Sequence, residues 1–298
     1  MTGKVPVDVE GRQLVLSNLD KVLYPEVGFV KGQVLDYYSR VAPVLLPHLA
    51  GRPLTLKRYP DGVEGHSFYE KNAPSYRPAW LRVETLPSPG STKARETVDY
   101  AVLSDLASLM WVVNLACLEL HTPMWRVGQA DQQPMADPDL LVFDLDPGPP
   151  ATVVECCQVA LLLRAALEAD GLEPLAKTSG SKGLQLYCRA GDLGSSEQTS
   201  SYARALAERL ESLHPGLVVS RMTRSLRPGK VLVDWSQNSS AKTTVGVYSL
   251  RARPRPTVST PVTWDEVAGC RRPEDLVFLS DDVLARIADQ GDLFAPLL

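Results

Sequence analysis

No stretch of this chain approaches the length of a membrane span, and its N-terminus lacks the apolar core of a secretory signal. Those absences make the cytoplasm the expected address. The five cysteines (Cys117, Cys156, Cys157, Cys188 and Cys270) include no Cys-x-x-Cys pair, and no zinc-ligand spacing is visible. Most lie in apolar or helical contexts and read as reduced core residues, not as a disulfide framework. An excess of positive charge is missing too. With 31 Lys and Arg against 35 Asp and Glu the net charge is -4, which argues against a general nucleic-acid coat but permits a local basic groove. There is no internal repeat and no linker long enough to separate a pair of domains. What is there is a globular composition: 298 residues, 44% hydrophobic and 22% charged, enough for one large domain or two intimate ones.

Val5 to Leu16 reads as a hairpin turning near Glu10 and Gly11, and Pro25 and Gly28 mark a turn. Lys31 to Leu49 has a helical stripe at Val34, Leu35, Tyr38, Val41, Leu45 and Leu46. Leu54 to Tyr59 and Ser67 to Lys71 read as strands. Pro74, Pro78, Pro87 and Pro89 make residues 72–95 loop and edge. A helix over Ser104 to Leu115, a strand end over Leu118 to His121 and a polar loop over 122–138 follow. The helix Val153 to Ala169, with Val154, Cys157, Leu161, Leu162 and Ala165 apolar, closes at Gly171. Strands over Leu175 to Lys177 and Leu184 to Cys188, a helix over Thr199 to Leu213, and strands at Val218 and at Val231 to Trp235 come next. An extended stretch from Pro254 to Pro261 and a helical tail from Trp264 finish the chain. The order of elements implies an α+β fold, mixed β-sheets with flanking helices. We expect a single domain over 1–298, with an N-terminal subregion (about 1–135) and a catalytic subregion (about 136–298).

The chain is organised around Asp139 to Gly148. Leu140 to Phe143 is a short apolar run, a buried strand. Side chains alternate along a strand, so Asp144 and Asp146 share one face and Leu145 takes the other. Two adjacent carboxylates repel unless a divalent cation joins them, and such hard oxygen ligands suit magnesium or manganese. A solvated strand end is the plainer alternative. Asp234 sits inside the apolar run Val231 to Val233, where a carboxylate is costly without a partner. It could pair with an arginine or be the third ligand of a two-cation site. Thr178 to Gly183 is a loop of small residues with Lys182, able to bring amides and hydroxyls near a phosphate, although it is not a Walker loop. Basic residues gather at Arg221, Arg224, Arg227 and Lys230, and at Lys242, Arg251, Arg253 and Arg255. Lys57, Arg58, Phe68, Tyr69 and Lys71 mix cations with rings, as a nucleic-acid end requires. Lys21 and Lys31 on their own read as solvated, and His121 as a core or capping residue.

In combination these pieces make a metal-dependent nucleotidyl transferase. From about Lys21 to about Asp265 the chain resembles the polymerase domain of bacterial ligase D, in the archaeo-eukaryotic primase superfamily. Asp144-Leu-Asp146-Pro-Gly is similar to that family's first metal motif, Ser179-Gly-Ser-Lys182-Gly-Leu to its second and Asp234-Trp-Ser-Gln237-Asn to its third. The runs Asn114 to His121 and Arg251 to Pro261 also resemble family segments. The resemblance implies that Asp144, Asp146 and Asp234 bind the catalytic Mg2+ or Mn2+. It implies nucleotide contacts from Lys57, His121, Ser179, Lys182, Gln185, Gln237 and Arg251. Lys21 and Lys31 would hold a 5′-phosphate, Phe68, Tyr69 and Lys71 the template, and Arg227 and Lys230 the primer or a phosphate. Many relatives have histidine where this chain has Gln185, which donates a hydrogen bond but carries no charge.

The expected activity is primase-polymerase extension of primers at gaps or broken DNA ends, with a ribonucleotide preference, in end joining or gap repair. The expected partners are DNA carrying a 5′-phosphate, nucleoside triphosphates, a separate ATP-dependent DNA ligase and Ku, with no membrane. A non-catalytic end-binding scaffold and a de novo primase are the alternatives. The chain shows no ligase or phosphoesterase segment, and its first Met and long tail lean toward a free-standing polymerase.

Overall fold

The computed structural model describes residues 3–87, 96–128 and 134–298. The N-terminal hairpin pairs β1 (Lys4–Val9) with β2 (Arg12–Ser17). Its two-residue turn puts both Glu10 (φ 53°) and Gly11 (φ 77°) in the left-handed region, as the twist of a tight hairpin demands. A second small hairpin, β3 (Val22–Tyr24) with β4 (Phe29–Val30), encloses the Pro25–Gly28 turn. Helix α1 (Lys31–Leu49) buries Val34, Leu35, Tyr38, Val41 and Leu45, with Leu46 at the margin of that face.

Next come β5 (Thr55–Arg58), β6 (Phe68–Glu70), β7 (Val83–Pro87), β8 (Thr97–Ala101), α2 (Leu106–Asn114) and β9 (Cys117–Thr122). Within the loop-and-edge stretch expected for 72–95, the edge is β7, which pairs with β8 in an antiparallel hairpin that buries Leu86 and Val98. Proline ends that strand at Pro87 without preventing it, because an edge position needs no donor there. Residues 88–95 of that expectation, Pro89 among them, and 129–133 of the expected 122–138 loop lie outside the described residues.

The second half supplies β10 (Leu140–Pro147), α3 (Val153–Ala169), β11 (Leu175–Thr178), β12 (Leu184–Arg189) and α4 (Ser196–Leu213). It continues with β13 (Val218–Val219), β14 (Val231–Asp234), β15 (Thr244–Val245), β16 (Pro261–Val262), α5 (Trp264–Gly269) and α6 (Ser280–Gln290). Helix α3 starts with a capping box. Val154 N–H donates to the Thr152 hydroxyl, and the Glu155 carboxylate accepts from Thr152 N–H at 2.6 Å. Its buried face runs through Cys156, Ala160, Leu163 and Leu167, and Ala165 is exposed. Of the expected stripe, Cys157 is buried, Val154, Leu161 and Leu162 are partly buried against the same core and Ala165 is exposed, so the inner face is rotated from the one expected. The helix is apolar around most of its circumference, so periodicity alone does not choose its inner face.

Two sheets result. One is mixed and six-stranded, in the order β13-β14-β10-β12-β11-β16, antiparallel except between β13 and β14. The other has the order β15-β9-β5-β6. Alternation along the central strand separates two cores. Leu141, Phe143 and Leu145 pack with α3 and α4, while Val142 points to the core built on α1 and α2. Asp144 and Asp146 share Val142's face, so the carboxylates look toward the four-stranded sheet. Late segments return to complete that first core with Val247, Tyr248, Leu250, Val283 and Phe294. Asp139 ties the halves together: the buried Arg52 donates to it at 2.7 Å and so does Arg126. Where β14 stops, the Asn238 side chain takes over as a partner of β10, accepting from Val142 N–H and donating to its carbonyl. The five cysteines are free and buried, as expected of reduced core residues. None of the described helices is long and apolar enough to cross a membrane.

Candidate active site

Strand register brings the expected acids together. Asp144 on β10 stands directly opposite Asp234 on β14 and Gln185 on β12. Asp144 keeps some surface open to solvent, yet lies deep among neighbouring atoms. Burial, then the charges of Asp146 and Asp234, push its pKa up to about 7. Gln185 Nε2 donates to Asp144 at 3.0 Å, and the Gln185 carbonyl accepts from Lys177 Nζ. Gln185 is thus turned onto an acid. Lys182, largely exposed, lies 3.8 Å from Asp146. Asp234 accepts from Ser236 N–H at 3.0 Å and from Gln237 Nε2 at 2.8 Å, and Lys242 reaches the Ser236 hydroxyl. No ion pair to arginine includes Asp234 among the described residues. Nor does any group of three His, Cys, Asp or Glu side chains there stand ready around a metal ion. The donor set itself, three aspartates with too little positive charge between them, has the chemistry a hard divalent cation satisfies.

The Thr178 to Gly183 loop closes on itself. The Ser179 hydroxyl accepts from the amides of Ser181 (3.2 Å) and Gly183 (3.1 Å). Gly183 is obligatory, since a Cβ there would collide with the Leu145 carbonyl oxygen. Arg251 Nη1 donates to the Ser179 carbonyl at 2.8 Å, bringing a cation to the loop.

A second charge cluster lies on the four-stranded sheet. Lys57 on β5 is in register with both Glu119 on β9 and Tyr69 on β6. Glu119 meets His121 at 2.9 Å, Arg251 at 3.4 Å and Lys57 at 3.9 Å. Burial opposes the Glu119 charge, but the His121 hydrogen bond and the Arg251 charge outweigh it, and its pKa falls to about 2. Burial lowers the His121 pKa, against the opposing pull of Glu119. Three expected nucleotide contacts therefore converge on one carboxylate.

Among the expected DNA contacts, Lys21 is exposed and paired with Asp61 at 3.0 Å. Lys31 is buried, contrary to the solvated reading: Nζ donates to the Ser17 carbonyl (2.6 Å) and to Asn114 Oδ1 (2.8 Å). Burial, then Lys21 and Arg58, lower its pKa to about 8. The Lys31 amide donates to the Lys21 carbonyl, so the two lysines are neighbours. The Phe68 ring lies under Arg58, exposed Tyr69 stands edge-on to His121, and Lys71 is exposed. Arg227 donates to the Met222 carbonyl and Lys230 to that of Pro215, each at 2.6 Å.

Two residues of the site escaped the sequence reading. Glu119 sits in a wholly buried strand, and its signal was a charge at i−2 from His121 inside an apolar run. Lys177 is buried on the Asp144 face of the sheet, with burial pulling its pKa well down against the attraction of Asp144. Its signal was a lysine at the end of a segment read as a short strand.

A mixed α+β fold presenting these aspartates and cations defines a nucleotidyltransferase. A family model described as LigD, primase-polymerase domain, matches residues 30–294. The chain is 45% identical over 282 residues to the multifunctional non-homologous end joining protein LigD of Mycolicibacterium smegmatis, covering 95% of this chain and 36% of that one. Against the LigD of Mycobacterium tuberculosis it is 42% identical over 290 residues, 96% of this chain and 37% of that one. The solved polymerase domain of Mycobacterium tuberculosis ligase D in complex with DNA is similar with a TM-score of 0.88 and 42% identity, over 95% of this chain and 97% of that chain. The chain spans about a third of the length of these curated relatives. It belongs to the family of LigD primase-polymerase domains.

Proposed function

We propose that this chain is a metal-dependent, template-directed polymerase that extends primers at gaps or broken DNA ends in end joining, preferring ribonucleotides and working in the cytoplasm as one domain. The observation that carries this reading is the register that sets Asp144 against Asp234 with Asp146 on the same face, an acid cluster short of positive charge. Asp144, Asp146 and Asp234 would hold Mg2+ or Mn2+, with Asp234 leaving its contacts to Ser236 and Gln237. The cations would supply charge neutralisation for the attacking 3′-hydroxyl and the leaving pyrophosphate. The new bond joins the 3′-oxygen to the α-phosphorus as the bond to pyrophosphate breaks. Lys57, His121 and Arg251 would hold the triphosphate, with Lys182 near the metal end, and Ser179, Gln185 and Gln237 would order the loops around it. Lys21 and Lys31 would take the 5′-phosphate; the hydrogen bond from the Lys31 amide to the Lys21 carbonyl, which makes the two lysines neighbours, supports this. Phe68, Tyr69 and Lys71 would meet the template, with Arg227 and Lys230 toward the primer. A separate ATP-dependent ligase and Ku would be its partners in joining the extended ends.

The test is extension of a labelled primer across a short gap, with Mn2+ or Mg2+, ribo- or deoxyribonucleotides, and the downstream strand with or without a 5′-phosphate. Extension that rises about tenfold with the phosphate supports the reading, and Lys31→Ala should abolish that rise. Tight binding of the phosphorylated end with no extension would favour a non-catalytic scaffold, the reading to which the hydrogen bonds already held by Asp234 lend weight.

A further inference from the structure

Glu119 sits in the middle of β9 with 2% of its surface exposed, on the strand face it shares with His121. Its two oxygens are fully engaged. Oε1 accepts from the Tyr59 hydroxyl (3.3 Å) and from Ala252 N–H (3.1 Å), with Arg251 Nε at 3.4 Å. Oε2 meets His121 Nε2 at 2.9 Å and Lys57 Nζ at 3.9 Å. These partners come from three separate regions of the chain: β5 and the residue beyond it, β9 itself, and the segment after β15. Buried ion pairs of this kind are poor stabilisers compared with apolar packing of the same volume. A purely structural role also leaves the outward ends of the cations unexplained. Lys57 keeps 22% of its side chain exposed and Arg251 keeps 19%, next to the exposed ring of Tyr69, over which Lys57 Nζ lies. Arg251 Nε is buried with no hydrogen-bond acceptor in line, so one donor of the cluster is unspent.

We propose that Glu119 is a positioning residue that gathers Lys57, His121 and Arg251 into one preorganised receptor for the triphosphate of the incoming nucleotide. This rests on the nucleotide reading of those three residues. Glu119 itself touches no substrate. Its charge offsets the mutual repulsion of Lys57 and Arg251 and draws both toward one point, and its hydrogen bond fixes the His121 ring before the ligand arrives. Without it the same cations would spread and have to be gathered by the nucleotide, at the expense of affinity.

The experiment is steady-state extension of a gapped primer by the wild-type chain and Glu119→Gln, with KM for the nucleotide and kcat read separately. Binding of the phosphorylated gapped DNA without nucleotide is measured alongside. The expected result is a nucleotide KM raised about tenfold or more, kcat within about threefold, and unchanged DNA affinity. In an Arg251→Ala background the same substitution should add less than about threefold, because two residues acting as one unit are not additive. An unchanged KM, a fully additive effect, or a parallel loss of KM, kcat and DNA binding overturns the proposal, the last in favour of a structural role. Should Glu119→Gln fail to fold, Tyr59→Phe removes one donor to the same carboxylate without stranding a charge. It should raise KM about two- to fivefold at constant kcat, and a constant KM again overturns the proposal. A wild-type chain that extends no primer fails the polymerase reading itself. An active wild type with an indifferent Glu119→Gln sinks the positioning role alone.

Discussion

The two charge clusters are opposites. On the six-stranded sheet Asp144, Asp146 and Asp234 crowd together, and the pKa of Asp144 rises to about 7. On the four-stranded sheet a single acid, Glu119, faces Lys57, His121 and Arg251, and its pKa falls to about 2. Each cluster is unbalanced, and the sign of the imbalance says what it awaits. The first lacks cations and the second lacks anions, which are the two ends of a metal-bound triphosphate. The face alternation of β10 turns the acids toward the sheet that carries the cations.

The comparison breaks most decisively at the acids. Asp144→Ala combined with Asp146→Ala should lower primer extension by about a thousandfold or more. The melting temperature of the metal-free protein should not fall, because the substitutions remove repulsion. Retained activity in the extension assay would refute the catalytic assignment.

The clusters should also tilt stability in opposite directions with pH. The folded pKa of Asp144, about 7, lies above its ordinary 3.8. Between those values the unfolded chain gives up a proton that the folded chain keeps, so stability falls as pH rises through this window, by up to about 1.4 kcal/mol per pH unit. For Glu119 the folded pKa, about 2, lies below its ordinary 4.5. Its contribution is complete above that ordinary value and is lost as pH falls from 4.5 toward 2. Unfolding curves across pH should show Asp144→Asn flattening only the upper window and Glu119→Gln only the lower one. Saturating Mn2+ should flatten the upper window as well, through binding to the folded state alone.

The smallest effect belongs to Gln185. It links Lys177 to Asp144 without a charge of its own. Gln185→His would place an ionisable ring against Asp144 and should change the nucleotide KM by about two- to fivefold, with the larger change below pH 7, as KM measured against pH would show. A change as large as that expected for Glu119→Gln would erase the distinction between the clusters.

Much of this was legible from residue order. The hairpin at Glu10 and Gly11, the extents of α1 and α3, and the shared face of Asp144 and Asp146 follow from local rules of turn, period and alternation. The β7–β8 hairpin was hidden by its prolines, and the inner face of α3 by a helix apolar nearly all round. Lys31 read as solvated because nothing local reveals that Ser17 and Asn114 will close over it. Glu119 and Lys177 were silent for the same reason, since a charge within a core strand means nothing until its partners are known.

The sequence by itself determined the longer helices and the strands that carry the motifs, the aspartate spacing and the resemblance to the polymerase domain of ligase D. These depend on neighbours a few residues apart and on motifs preserved in order. Only the tertiary structure decided that Asp234 pairs with Asp144, that Glu119 gathers His121 with Lys57 and Arg251 from distant segments, and that the acids lie on the face of β10 turned toward the first core. Those facts depend on strand register and on the return of residues 244–258 to the first core, and long-range pairing of this kind is set by the packing of the whole molecule.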